Sequence, residues 1–354
     1  MFEDEIYLNT KIKTCPKMGT SNLKKEAIMQ GKIALEEHYA IEDTLQDSNG
    51  YLPPETWEEL SGRLMDIEGR RIDEMDQNGV EMMILSLNAP AVQAIPDRQR
   101  ANEVAKKSND MLAEWVQRNP GRFSGFAALP LQDVDLACAE MERCVNELGF
   151  VGALVNGFSQ ADSEESALYY DLPQYRPFWD VVAKLNVPFY LHPRNPLPSM
   201  AQIYEGHPWL LGPTWAFGQE TAVHALRLMA SGLFDEHPNL QIVLGHMGEG
   251  LPYSMWRIDN RNKWVGDERG YPAQRMLGEY FQNNFYITTS GNFRTQTLID
   301  AMLEIGADRV LFSADWPFEN VDHAANWFDS CTISEADRMK IGRTNSMDLF
   351  RINL

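Results

Sequence analysis

Basic residues are scarce in this chain of 354 residues: 31 Lys and Arg stand against 51 Asp and Glu, a formal charge of -20. A surface of that sign repels phosphate backbones and anionic bilayers, so neither nucleic acid nor a membrane surface is expected as a partner. Cysteine is rarer still. Four are present, Cys15, Cys138, Cys144 and Cys331, with no CxxC pair among them, which implies reduced thiols of an intracellular protein and no disulfide framework. No segment offers eighteen consecutive apolar residues, and the opening "MFEDEIYLNTKIKTCPKMGTSNLKKEAI" has neither an apolar leader core nor an Arg-rich amphipathic pattern. Neither a spanning helix nor a targeting segment is read, and a cytoplasmic location is expected. Ser/Gly-rich linkers are missing too.

Apolar residues make up 44% of the chain and nine Trp are available for packing, enough for a large core in one big α/β domain or two smaller ones. Because Met29 immediately precedes the first regular element, residues 1–28 are expected to form an appended, weakly structured arm, with 29–354 as a single domain. Short β-rich runs then alternate with stretches of helical spacing. "KIALEEH" (32–38), "EMMILSL" (81–87), "RFSGFAAL" (122–129), "VGALVNG" (151–157), "VPFYLH" (187–192), "QIVLGH" (241–246), "FYITTS" (285–290) and "RVLFSAD" (309–315) read as buried strands. Helices are expected over 56–78, 98–118, 133–147, 174–185, 219–235 and 293–305, each long enough to return the chain parallel. Eight strand-helix units point to a (β/α)8 barrel. The alternative, a doubly wound open sheet, usually carries a Gly-rich phosphate loop after its first strand, and here that strand ends in carboxylates.

In a parallel barrel the C-terminal strand ends share one mouth. Strand one brings Glu36 and His38 there, strand four Asn156, strand five His192, strand six His246 and strand eight Asp315. Glu36 and His38 are two apart and share a face, while Glu37 points the other way, toward the helical layer or a loop and a basic partner. Imidazoles and carboxylates converging in this way are the ligand set of a borderline divalent ion such as Zn2+ or Mn2+. His207, His224, His237 and His323 read instead as turn or helix residues. Asn156 is open between a turn role and substrate contact, and Asp315 between the mouth and a helix cap.

From Met29 onward the chain resembles the decarboxylase branch of the amidohydrolase superfamily. The motifs are "GKIALEEHYA", "ELGFVGALVNGFSQ", "VPFYLHPRNPLP", "LGHMGEGLPYSMWRID", "TTSGNFRTQTLIDA" and "RVLFSADWPFEN". The resemblance implies that Glu36, His38, His192 and Asp315 hold one divalent ion, Zn2+ or Mn2+, with no organic cofactor. His246, with Glu249 behind it, matches the family's catalytic His and its partner. A homotetramer is implied as well. Hydrolytic binuclear members of the superfamily begin with HxH and carry a carboxylated Lys at strand four; Glu36-x-His38 and Asn156 imply a single ion here. The residue before the strand-eight Asp, often Thr in the branch, is Ala314.

The implied reaction is non-oxidative, reversible decarboxylation of a small ortho-hydroxybenzoate, 2,6-dihydroxybenzoate giving resorcinol and CO2. Direct loss of CO2 would leave an anion in the ring plane, so the ring carbon must be protonated first, with an ortho phenolate feeding electrons in. Asp315 is assigned as the acid, His246 as its proton-exchange partner and Glu249 as the residue orienting the imidazole, with direct donation by His246 as the competing assignment. Asn156 and Arg257 are candidates for the substrate oxygens, and Tyr51, Phe293 and Trp215 for an aromatic wall. Two other readings stand beside this one: a mononuclear metal hydrolase with the same ligands, and a non-catalytic binding barrel.

Overall fold

The computed structural model describes residues 28–51, 53–265, 268 and 270–354, and of Tyr51 only the backbone. The arm expected over residues 1–28 therefore lies, but for Ile28, outside the described residues.

Eight parallel strands pair in chain order: β1 (Lys32–Tyr39), β2 (Val80–Leu87), β3 (Phe123–Ala127), β4 (Gly152–Asn156), β5 (Phe189–His192), β6 (Ile242–Leu244), β7 (Phe285–Thr288) and β8 (Val310–Leu311). The order rules out the doubly wound alternative, because an open sheet of that kind reverses its strand order at a switch point. Every strand but β8 is wholly or almost wholly buried over several residues, as parallel strands covered by helices must be. Helices cross over between them. The stretch expected as one helix over 56–78 is two, Pro54–Met65 and Arg70–Gln77. The break is made by Asp66, whose carboxylate accepts from the amides of Gly69 (2.7 Å) and Arg70 (2.8 Å).

The barrel interior is filled by alternate residues of its strands, among them Ile33, Leu35, Ile84, Phe126, Leu154, Tyr190, Val243 and Leu311. The complementary set, including Ala34, Met83, Val155, Leu191 and Leu244, packs under the helices. Strict alternation from Leu35 would turn Glu36 outward. It does not, because β1 bulges: Ala34 pairs with Met83 but Glu37 with Leu85, three residues against two. A bulge re-aims the side chains that follow it, and here it carries Glu36 and His38 to the mouth.

Glu37 has a basic neighbour, Arg71, on which its charge acts, and it also closes the barrel. Its carboxylate accepts from Ser313 Oγ (2.8 Å) and from the amides of Ala314 (2.9 Å) and Trp316 (3.0 Å) just past β8. Ser313 Oγ in turn accepts from the Glu36 amide at 2.8 Å, and the His38 amide donates to the Trp316 carbonyl at 2.6 Å. These bonds stand where a longer β8 would have made a ladder. Burial pushes the Glu37 carboxyl up to about 7 against the pull of those donors. The three cysteines among the described residues are free thiols, and no described helix is long and apolar enough to cross a membrane.

Candidate active site

Four side chains at the mouth present donor atoms that all lie within 4.8 Å of one another: Glu36, His38, His192 and Asp315. Glu36 Oε1 is 3.3 Å from His192 Nε2, and Asp315 Oδ1 is 3.3 Å from His38 Nε2. Two donors about 2.0–2.2 Å from one tetrahedral ion stand roughly 3.3–3.6 Å apart, so the spacing suits a small divalent cation. Burial sharpens the fit. Glu36 and His38 are wholly inaccessible to solvent and His192 is 5% exposed, yet Glu36 Oε1 and His38 Nε2 have no hydrogen-bond partner. Buried polar atoms are rarely left so unless something else occupies them.

Neighbouring groups decide which atom of each ligand faces the centre. Ser86 Oγ, 3.1 Å from His38 Nδ1, engages one ring nitrogen and leaves Nε2 for the mouth. Burial, then the neighbouring His38 and His246, hold the His192 imidazole well below its ordinary pKa, so it is neutral and able to ligate.

His246 and Asp315 were expected at strand ends, within 241–246 and 309–315. The ladders stop earlier, at Leu244 and Leu311, and both residues sit on left-handed backbone, φ 50° for His246 and 79° for Asp315. From His246 to Gly250 every residue has positive φ. Such conformations cost of order 1–3 kcal/mol at a non-glycine residue and persist where the surroundings enforce them. The turn aims His246 inward, with Nδ1 2.7 Å from Glu249 Oε1 and Nε2 3.6 Å from both Asp315 Oδ2 and Glu36 Oε1. Burial disfavours the imidazolium, but the charges of Glu249 and Glu36 and the Asp315 contact outweigh it, and the His246 pKa rises well above its usual value. Burial likewise opposes the Asp315 carboxylate, and the His246 and His38 imidazoles reverse the effect, holding it at about 2.

A cavity of about 360 Å³ opens onto this group, lined by His192, His246 and Asp315 together with Phe217, Phe318, Gln160, Arg194 and the loop residues Asp47 and Ser48. Among the described residues its aromatic rings are Phe217 and Phe318. Phe293 packs instead on His323 (ring centroids 5.0 Å) and Trp327 (5.7 Å). Trp215 is 53% exposed and outside the lining, and the Tyr51 side chain lies outside the described residues. Arg257 is on the exposed side of the helix Leu251–Val265 and does not line the cavity. Asn156 ends β4 beside His192, but its amide nitrogen is spent on the carbonyls of Asn88 (3.0 Å) and Pro90 (3.4 Å). Only its Oδ1 remains without a partner. Of the other histidines, His224 is a buried helix residue accepting from the Tyr170 amide at 3.0 Å, as its context implied.

Arg194, Gln160, Phe217 and Phe318 were not foreseen. Arg194 and Phe318 follow ligands closely in the chain, at His192 plus two and Asp315 plus three, and that proximity was the available cue.

Residues 52–352 match the family model described as amidohydrolase. The γ-resorcylate decarboxylase of Rhizobium radiobacter is 69% identical over 325 residues, covering 92% of this chain and 99% of that protein. A crystal structure of 2,6-dihydroxybenzoate decarboxylase complexed with 2,6-dihydroxybenzoate superposes with a TM-score of 0.90 at 69% identity, over 92% of this chain and 100% of that one. Another, of dihydroxybenzoic acid decarboxylase from Polaromonas sp. JS666 with bound manganese and the inhibitor 2-nitroresorcinol, gives 0.90 at 68% identity, over 91% and 97%. The chain belongs to the amidohydrolase family, a (β/α)8 barrel whose mouth gathers four side chains that could hold a metal ion. Within that family its place is among the γ-resorcylate decarboxylases, which are carboxy-lyases.

Proposed function

We propose that this chain catalyses the non-oxidative, reversible decarboxylation of ortho-hydroxybenzoates, 2,6-dihydroxybenzoate to resorcinol and CO2, at the mouth built by Glu36, His38, His192 and Asp315. The observation that carries the reading is the convergence of those four donor atoms, two of them buried without a partner, beside a cavity with two phenylalanine rings. In this reading the four residues hold one divalent ion, Mn2+ or Zn2+. An ion held there would supply Lewis acidity and a template for orienting the ortho-hydroxybenzoate.

The chain's own groups move the proton. Asp315 delivers it to the ring carbon bearing the carboxylate, after receiving it from His246 Nε2 across the 3.6 Å that separate them. A C–H bond forms at that carbon, the phenolate electrons enter the ring, and cleavage of the C–C bond returns them as CO2 leaves. Glu249 holds the imidazole in line through Nδ1. Asn156 Oδ1, buried without a partner beside His192, is the candidate acceptor for a substrate hydroxyl, although Asn156 is not among the residues lining the cavity. The site's electrostatics favour one variation, direct donation by His246, because its neighbours raise the His246 pKa and lower that of Asp315.

The same reading makes the protein a cytoplasmic homotetramer. Self-association is supported by Tyr253, Trp256 and Trp264, which are 86%, 73% and 78% exposed on one helix, more apolar surface than a lone helix usually leaves in water. Light scattering on the purified protein tests the subunit count. The test of the reaction is a panel of ortho-hydroxybenzoates and aryl esters or lactones incubated with metal-loaded protein. Headspace CO2 from the acids supports decarboxylation, and hydrolysis of the esters or lactones without CO2 would make the protein a hydrolase instead.

A further inference from the structure

Among the four metal-facing residues, Glu36 has the most closely governed side chain. Its Oε2 accepts from the Tyr190 hydroxyl in a short hydrogen bond and from Thr288 Oγ1 at 3.1 Å, and those two hydroxyls are themselves 3.1 Å apart. On a third side lies Gly245. A Cβ there would sit 2.8 Å from both carboxylate oxygens and 3.2 Å from Cδ. Gly245 is not among the residues with positive φ, so the backbone does not require glycine. The empty Cβ position serves the carboxylate.

Tyr190 is wholly buried inside the barrel, its ring edge-on to Phe126 at 6.0 Å. Its hydroxyl donates to Glu36 Oε2. Oε2 is thereby occupied twice over. Oε1 has no hydrogen-bond partner and faces His192 Nε2 at 3.3 Å and His246 Nε2 at 3.6 Å. We propose that Tyr190 and Thr288, against the bare Cα of Gly245, are positioning residues that present Glu36 to the metal through Oε1 alone. A carboxylate limited to one oxygen takes one coordination position, which leaves more of them to a chelating substrate. The inference rests on the four-ligand site proposed above and deepens it.

Mn2+ titrated into metal-free protein, with the free ion followed by its EPR signal, tests it. Wild type binds one ion per chain. Tyr190→Phe, which keeps the ring, and Thr288→Val, which keeps the shape, each weaken binding by about 10–100-fold. The double variant loses less than the product of the two, because both hydroxyls act on one oxygen. Excess Mn2+ brings the turnover of each single variant back toward wild type, a recovery that a folding defect would not allow. Wild-type affinity in both single variants, or fewer sites per chain at unchanged affinity, overturns the clamp. Wild-type Mn2+ affinity in Glu36→Ala would instead overturn the four-ligand site, so the two failures are distinguishable.

Discussion

His246 Nε2 stands 3.6 Å from Asp315 Oδ2, with the imidazole pKa raised and the carboxyl pKa lowered by their neighbours. One small ring movement makes that contact a hydrogen bond, so the pair can share a single proton between them. Replacing Asp315 by Asn preserves shape and removes the acid. Asp315→Asn should retain substrate binding, read by fluorescence or calorimetry, while turnover falls by roughly 10³-fold or more. Turnover within tenfold of wild type would make His246 the direct donor.

Ligand removal separates folding from metal binding. His192→Ala and Glu36→Ala should each give folded protein by circular dichroism, with much less metal by elemental analysis and almost no activity. Loss of a partner such as Ser86, which touches the His38 ring, should be milder, about 10–100-fold in affinity. Full metal content and turnover in either ligand variant would contradict the site.

The pH profile tests Glu249. Burial alone would lower the His246 pKa; the Glu249 charge is the largest of the effects that raise it. Glu249→Gln removes that charge, so His246 loses its proton at lower pH. Because the protonated imidazole is the active form, the alkaline limb of kcat/KM should move to lower pH than in wild type. An unmoved limb, or one displaced upward, would show that His246 is not the titrating group.

Barrel closure rests on Glu37 in place of a long β8. Glu37→Ala would strand the Ala314 and Trp316 amides and the Ser313 hydroxyl in a buried seam. The expected cost is about 3 kcal/mol or more, measured by urea denaturation of the metal-free variant. A loss under about 1 kcal/mol would mean that water or another acceptor takes the place of the carboxylate.

Much of the barrel was legible in the sequence because parallel strands buried on both faces read as unbroken apolar runs, and all eight runs became strands. The gathering of Glu36, His38, His192 and Asp315 at the mouth was legible because a His or carboxylate closing such a run has few structural uses. Other features depend on tertiary context that no spacing encodes. The bulge after Ala34 exists only in pairing with β2, and the partners of Glu37 are supplied by backbone some 280 residues away. Tyr190 is indistinguishable in sequence from any core aromatic. Arg257 is turned by the helical phase to the exposed side of its helix, away from its own chain's cavity, and the turn before the helix Thr295–Ile305 points Phe293 at Trp327.

Proton delivery to carbon and loss of CO2 are two halves of one substitution at one atom, and isotopic labelling reads both. Run in D2O with 2,6-dihydroxybenzoate, the reaction should place one deuterium on the carbon that carried the carboxylate, seen by NMR of the resorcinol formed. High bicarbonate should drive carboxylation back at that same ortho position. Deuterium at a different ring carbon, in the absence of background exchange, or ready decarboxylation of 4-hydroxybenzoate, which has no ortho hydroxyl, would contradict the ring-protonation chemistry.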